Sequence, residues 1–137
     1  MNSLVTIDAS VFVSAFTPTE PAHAASKVRM RYFYDSGTPI IVPSLVIPEI
    51  AAALARGQGK PDLGIAFAEE VASLPNLTLV SVDESLARLA AQTAAKYKLR
   101  GSDAIYAAVA LRFGTQLVTL DREQLERLAP ALPVSAP

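Results

Sequence analysis

Four acidic residues stand where chemistry would need them: Asp8, Glu49, Asp103 and Asp121. Asp8 follows Leu4-Val5-Thr6-Ile7, an apolar and β-branched run that suits a buried parallel strand, so its carboxylate emerges at a strand's carboxyl end. Open α/β sheets bind ligands beyond such ends. A purely structural job is also available to it, as N-cap of a short helix beginning at Ala9. Glu49 has only apolar helical neighbours three and four positions away, namely Leu45, Val46, Ala52 and Ala53. A carboxylate on an inward-packing stripe is costly unless paired, hydrogen-bonded or bound to a cation, and no basic residue lies within a turn of it. The competing role is an edge position from which the side chain reaches water.

Asp103 opens Ala104-Ile105-Tyr106-Ala107-Ala108-Val109-Ala110-Leu111, a helix so apolar that it must be largely buried. Asp103 could serve only as a cap or a first-turn acid, but Ser102 could do the capping and leave it free. Asp121 ends Leu117-Val118-Thr119-Leu120 and precedes Arg122-Glu123-Gln124, the pattern of a capping box with Gln124 at its third position. One oxygen can cap while the other faces a metal. Gathered together, such carboxylates repel and resist ionising, so they call for a hard cation; an oxygen-only set suits Mg²⁺ or Mn²⁺ rather than zinc.

Other chemistries fail for nameable reasons. The absence of cysteine excludes thiolate nucleophiles and thiolate metal sites, and fits a reducing compartment. The single histidine, His23, rules out a two-histidine ribonuclease and reads as a surface residue in its Pro- and Ala-rich stretch. Gly57-Gln58-Gly59-Lys60-Pro61 has neither the spacing and hydroxyl of a P-loop nor the third glycine of a dinucleotide turn. A phosphorelay receiver would want adjacent acids after the first strand, where Ile7 precedes a lone Asp8.

The elements that must position the acids follow from hydrophobic pattern and turn residues. Strands are expected at Leu4–Ile7, Pro39–Val42, Leu77–Val82 and Gln116–Leu120. Between them, a helix over Ala22–Ser36 ends at Gly37, with Ala25, Val28, Tyr32 and Phe33 on its inward side. Ser44 is the expected N-cap of a helix through Glu49 to Ala55, with Gly57 past its end and a loop over Gln58–Asp62. Further helices cover Leu63–Leu74, the stretch from the Asp83 cap to Tyr97, the run from Gly101-Ser102-Asp103 to Phe113, and Arg122–Leu128 before a Pro-rich tail. Strands separated by helices imply an α/β fold: a single doubly wound domain, residues 1–137, with a parallel sheet of four or five strands flanked by helices.

The 137 residues suffice for a real core. The start has no basic region of a signal peptide, and the longest uncharged stretch, Ser36 to Pro48, is shorter than the roughly 18 apolar residues of a membrane span. A soluble, cytoplasmic protein with no membrane partner is expected. Twelve basic and 13 acidic residues provide no global field for nucleic acid, so any such site is local. The clusters Lys27-Arg29-Arg31, Arg56-Lys60 and Lys96-Lys98-Arg100 each read first as solvated helix faces.

Ile7-Asp8-Ala9-Ser10, Pro43-Ser44-Leu45-Val46-Ile47-Pro48-Glu49-Ile50, Gly101-Ser102-Asp103-Ala104 and Val118-Thr119-Leu120-Asp121-Arg122 resemble, in order and approximate spacing, the four acidic motifs of PIN-domain nucleases. Length and motif placement further resemble the VapC-type toxins of toxin–antitoxin pairs, over nearly the whole chain. The resemblance implies a Mg²⁺- or Mn²⁺-dependent endoribonuclease in which Asp8, Glu49, Asp103 and Asp121 hold metal. Ser10 and Thr119 fall where the family often has small polar residues supporting the acids. It also implies an RNA substrate, a cognate antitoxin and a homodimer. The rival expectation is a non-catalytic PIN fold that grips RNA or a protein, with Tyr32, Phe33 and Tyr34 beside the Lys27-Arg29-Arg31 cluster as its surface; the intact acids argue against it.

Overall fold

Among the described residues five short strands form one parallel sheet in the order β3-β2-β1-β4-β5: β1 Val5–Ile7, β2 Ile40–Pro43, β3 Leu77–Val80, β4 Gln116–Val118 and β5 Val134–Ser135. The computed structural model describes residues 4–137. Parallel neighbours need crossovers, and seven helices supply them: α1 Ala9–Phe16, α2 His23–Ser36, α3 Val46–Gln58, α4 Pro61–Ala72, α5 Glu84–Tyr97, α6 Gly101–Phe113 and α7 Arg122–Arg127. β1 lies at the centre with Val5, Thr6 and Ile7 fully buried, so Asp8 leaves the sheet at its middle. α6 packs against β1, β2 and β4, and its run of small residues Ala104, Ala107, Ala108 and Ala110 lets it lie close. The apolar composition of α6 thus has its cause: it is covered nearly all round.

α3 and α4 pack against each other, and Gly64 makes this possible, because a Cβ there would stand 2.7 Å from the Ala51 carbonyl oxygen. Asp83 caps α5 by accepting from the Leu86 N–H, as its position before the helix predicts.

The structure corrects several expectations. α2 does not turn Ala25, Val28 and Tyr32 inward: Val28 is 70% and Tyr32 62% exposed. Its inward face follows Ser26, Met30 and Phe33, spaced four and three apart, and at about 100° per residue Tyr32 cannot share that face with Phe33. Ser44 is not an N-cap; Leu45 takes that position without a side-chain bond, and Ser44 contributes its carbonyl to the Ile47 N–H. α3 continues through Gly57 to Gln58, with Gly59 at positive φ as the stop, so the expected loop shrinks to a tight turn into Pro61. The Pro-rich tail contributes β5, because the free edge of β4 takes it: Leu117 N–H donates to the Pro133 carbonyl and Thr119 N–H to that of Ser135. β3 and β4 also end two residues earlier than expected, at Val80 and Val118.

Candidate active site

Asp8 N–H donates to the Val118 carbonyl, carrying the β1–β4 ladder one residue past the strand. Its side chain does not cap α1, although Asp8 occupies the N-cap position. Instead Oδ2 accepts three side-chain donors: Thr119 Oγ1 at 2.9 Å, Ser10 Oγ at 3.0 Å and Gln124 Nε2 at 3.2 Å. Thr119 is a junction, accepting also from the Asp121 N–H at 3.0 Å, while Ser10 Oγ accepts from the Leu120 N–H at 3.3 Å. Every one of these donors is neutral. They hold the carboxylate without cancelling its charge, so burial pushes the Asp8 pKa up; the Thr119 and Ser10 bonds oppose the rise and the charge of Asp121 adds to it.

Glu49 sits in the first turn of α3 and accepts from the Tyr106 hydroxyl of α6 at 2.6 Å on Oε1. Burial raises the Glu49 pKa, against the Tyr106 bond, with the Asp8 charge adding. Burial first, then Glu49 and Asp8, hold the Tyr106 phenol protonated, which keeps it a donor. The residue that an apolar helix pattern marks as core is therefore the orienting partner of the acid on α3.

Asp103 and Asp121 meet at Arg100. α6 begins at Gly101, two residues before Asp103, with Arg100 as N-cap and neither Ser102 nor Asp103 capping by side chain. Arg100 Nε donates to Asp103 Oδ2 at 3.3 Å and Nη2 to Asp121 Oδ2 at 2.9 Å. Asp121 Oδ1 accepts from the Gln124 N–H at 2.9 Å, so the capping box is half-formed. Its other half is absent because the Gln124 side chain turns inward to Asp8 and Thr119. Burial, then the charges of Asp8 and Asp121, raise the Asp103 pKa to about 6 and outweigh the pull of Arg100. In return Asp103 and then Asp121 hold the Arg100 guanidinium firmly charged.

All four acids and Ser10 line one cavity of about 580 Å³, together with Glu20, Arg56 and Arg100; Thr119 lies buried behind Asp8. The chain's four acidic segments thus converge at the carboxyl end of the sheet. Asp8 Oδ1, Glu49 Oε2 and Asp103 Oδ1 receive no side-chain donor among the described residues, whereas both oxygens of Asp121 are engaged. Three carboxylate oxygens without a side-chain donor, in a site whose acids resist joint ionisation, suit a hard divalent cation. Among the described residues no three acid or histidine side chains are already placed closely enough to hold a metal ion between them.

Sequence reasoning passed over Tyr106, Gln124 and Arg100. Arg100, three residues before Asp103, carried a readable signal as an i,i+3 pair; the other two depend on contacts 57 and 116 residues away in sequence. His23 is half-buried rather than a plain surface residue, its Nδ1 within 2.9 Å of the Ser14 carbonyl, and it does not line the cavity.

Known structures share the fold at low identity. VapC20 of Mycobacterium tuberculosis, described as a sarcin-ricin loop cleaving toxin, matches at 16% identity with TM-score 0.74, covering 93% of this chain and 95% of that one. VapBC2 of Rickettsia felis, bound to a promoter DNA fragment, matches at 12% identity and TM-score 0.72, covering 97% and 98%. DNA-bound VapBC of Salmonella typhimurium matches at 17% and 0.71, covering 99% and 98%. Among curated proteins no sequence matches this chain. The profile of the PIN domain matches residues 5–129, a span that holds all four acids, and the chain belongs to the PIN domain family.

Proposed function

We propose that this chain, acting as one domain over residues 1–137, is a Mg²⁺- or Mn²⁺-dependent endoribonuclease and the toxin of a toxin–antitoxin pair. The observation that carries the reading is the convergence of Asp8, Glu49, Asp103 and Asp121 on one cavity, with three of their oxygens lacking a side-chain donor. Asp8, Glu49 and Asp103 offer those oxygens to the cation, and Asp121 completes the acidic set. Ser10, Thr119 and Gln124 aim Asp8, and Tyr106 aims Glu49. A cation held there would acidify an attacking water and offset charge on the scissile phosphate. RNA as substrate is supported by the family and by the toxin activity ascribed to the Mycobacterium tuberculosis relative.

A cognate antitoxin is supported by the VapBC complexes among the similar folds, and a second copy of the chain is the other partner. The exposed Val28, Tyr32 and Tyr34 of α2 offer apolar surface for a protein contact. Among the described residues no helix is long and apolar enough to cross a membrane, in keeping with work in the cytoplasm.

The test is cleavage of a mixed RNA by the wild type and by Asp8→Asn, with Mg²⁺, Mn²⁺ or EDTA. Cleavage abolished by EDTA and by the substitution is expected; equal cleavage by the variant rejects the catalytic assignment. Growth arrest on expression, relieved by co-expression of the adjacent gene, separates a toxin from a housekeeping nuclease.

A further inference from the structure

Arg100 is an odd residue to find in this cavity. Five carboxylates and two guanidiniums line it, and Arg100 joins two of those carboxylates while its own side chain remains 71% exposed. As a structural brace this contributes little, since the guanidinium itself stays in solvent, where water and salt screen its ion pairs. As a held but accessible cation it is well made. Its backbone is anchored on both sides: Leu99 is buried, the Arg100 carbonyl accepts from the Ala104 N–H, and Lys98 takes a left-handed φ of 57° to turn the chain there. Arg127 of α7 donates to the Lys98 carbonyl, tying this turn to the helix that Asp121 caps.

The donors of the guanidinium are divided. Nε faces Asp103 and Nη2 faces Asp121, which leaves Nη1 and the second hydrogen of Nη2 uncommitted, a fork suited to a phosphate. Asp121 has one oxygen on the Gln124 N–H and the other on Arg100, so both of its oxygens already hold a donor, whereas Asp103 meets Arg100 through one oxygen and keeps the other without a side-chain donor.

We propose that Arg100 grips a phosphate of the RNA strand and that Asp121 is a positioning residue for Arg100 rather than a direct metal ligand. This rests on the nuclease reading above and divides its four acids into three that hold the cation and one that aims the arginine.

Two measurements on the full chain test it. Mn²⁺ affinity by titration calorimetry, without RNA, should fall at least about tenfold in Asp103→Asn but stay within about threefold of wild type in Asp121→Asn and Arg100→Gln. Affinity for a fluorescent mixed-sequence single-stranded RNA, measured in Ca²⁺ with the RNA shown intact on a gel, should fall about tenfold in Arg100→Gln. Its salt dependence should lose about 0.7 of log-log slope, one phosphate contact. Arg100→Lys should recover the slope and only part of the affinity, and thermal unfolding of Arg100→Gln should stay near wild type. Loss of Mn²⁺ affinity in Asp121→Asn equal to that in Asp103→Asn, or wild-type RNA affinity and slope in Arg100→Gln, overturns the proposal. If wild type cleaves RNA while Arg100→Gln binds it unchanged, only this inference falls; if wild type neither binds nor cleaves RNA, the nuclease reading falls with it.

Discussion

The two sides of the acidic cavity are built on opposite principles. On the inner side, Asp8 is 6% exposed and meets only neutral donors, all locked between the ends of β1, β4 and α7. On the outer side, Asp103 and Asp121 share a charged partner whose side chain is 71% exposed. Neutral donors fix a carboxylate's direction and leave its full charge for an incoming cation. A guanidinium at the surface offsets the charge of its partners and, with donors to spare, has room for a phosphate beside them. The inner side is therefore held by neutral donors in a buried seat and the outer side by a shared, exposed cation.

Substitutions sharpen or break that contrast. Asp8→Asn removes the central charge of the buried seat and should lower RNA cleavage on the order of 10³-fold, a loss of several kcal/mol of transition-state stabilisation. The same variant should unfold at or above the wild-type temperature in EDTA, because a buried charge that resisted ionisation is gone. A lower melting temperature would show that the charge is structural.

Thr119→Val and Gln124→Leu keep every acid and remove donors to Asp8. Each should weaken Mn²⁺ binding by about 10–100-fold, the usual cost of losing a partner behind a metal ligand. Unchanged Mn²⁺ titrations would mean that the web behind Asp8 serves the fold alone. Tyr106→Phe frees Glu49 Oε1 and should cost only a few-fold in cleavage rate, with about 1 kcal/mol of stability by denaturant unfolding.

The smallest effect expected is on pH. Folding raises the Asp103 pKa from its ordinary 3.8 to about 6, through burial and then the charges of Asp8 and Asp121. A carboxyl raised in this way holds its proton more tightly when folded. Its contribution to stability is complete below about 3.8 and disappears as the pH climbs through about 6. The metal-free melting temperature should accordingly drop by a few degrees between about pH 5 and pH 7.5, saturating Mn²⁺ should restore it, and Asp103→Asn should flatten part of the profile. A melting temperature that rises across this range would contradict the assigned direction.

Much of the site was legible because its signals are local. Asp8 and Asp121 each follow an apolar strand run, Asp103 stands at the mouth of an apolar helix, and Glu49 has only apolar neighbours at helical spacing. These patterns depend on residues a few positions away, and a parallel sheet necessarily brings strand ends and the following helix starts to one edge. α2 shows the limit of that kind of reading. Its apolar residues lie on two faces, and which face is covered was settled by the packing of the fold: α1 lies against α2, and Ser26 and Phe33 are buried while Val28 and Tyr32 stay outside.

By itself, then, the sequence determined the alternation of strands and helices and singled out the four acids that line the candidate site, because periodicity, caps and composition act over short distances. Tertiary structure decided the roles. Tyr106 became an orienting donor when the fold brought its hydroxyl to Glu49 of α3, Gln124 left its capping box once Asp8 came within reach, and Arg100 changed from a solvated cation to a shared partner when the fold brought Asp121 to it. Val134–Ser135 became a strand only because β4 presented an unpaired edge. Each of these rests on a contact between residues far apart in the chain, and local preference carries no information about which distant group arrives.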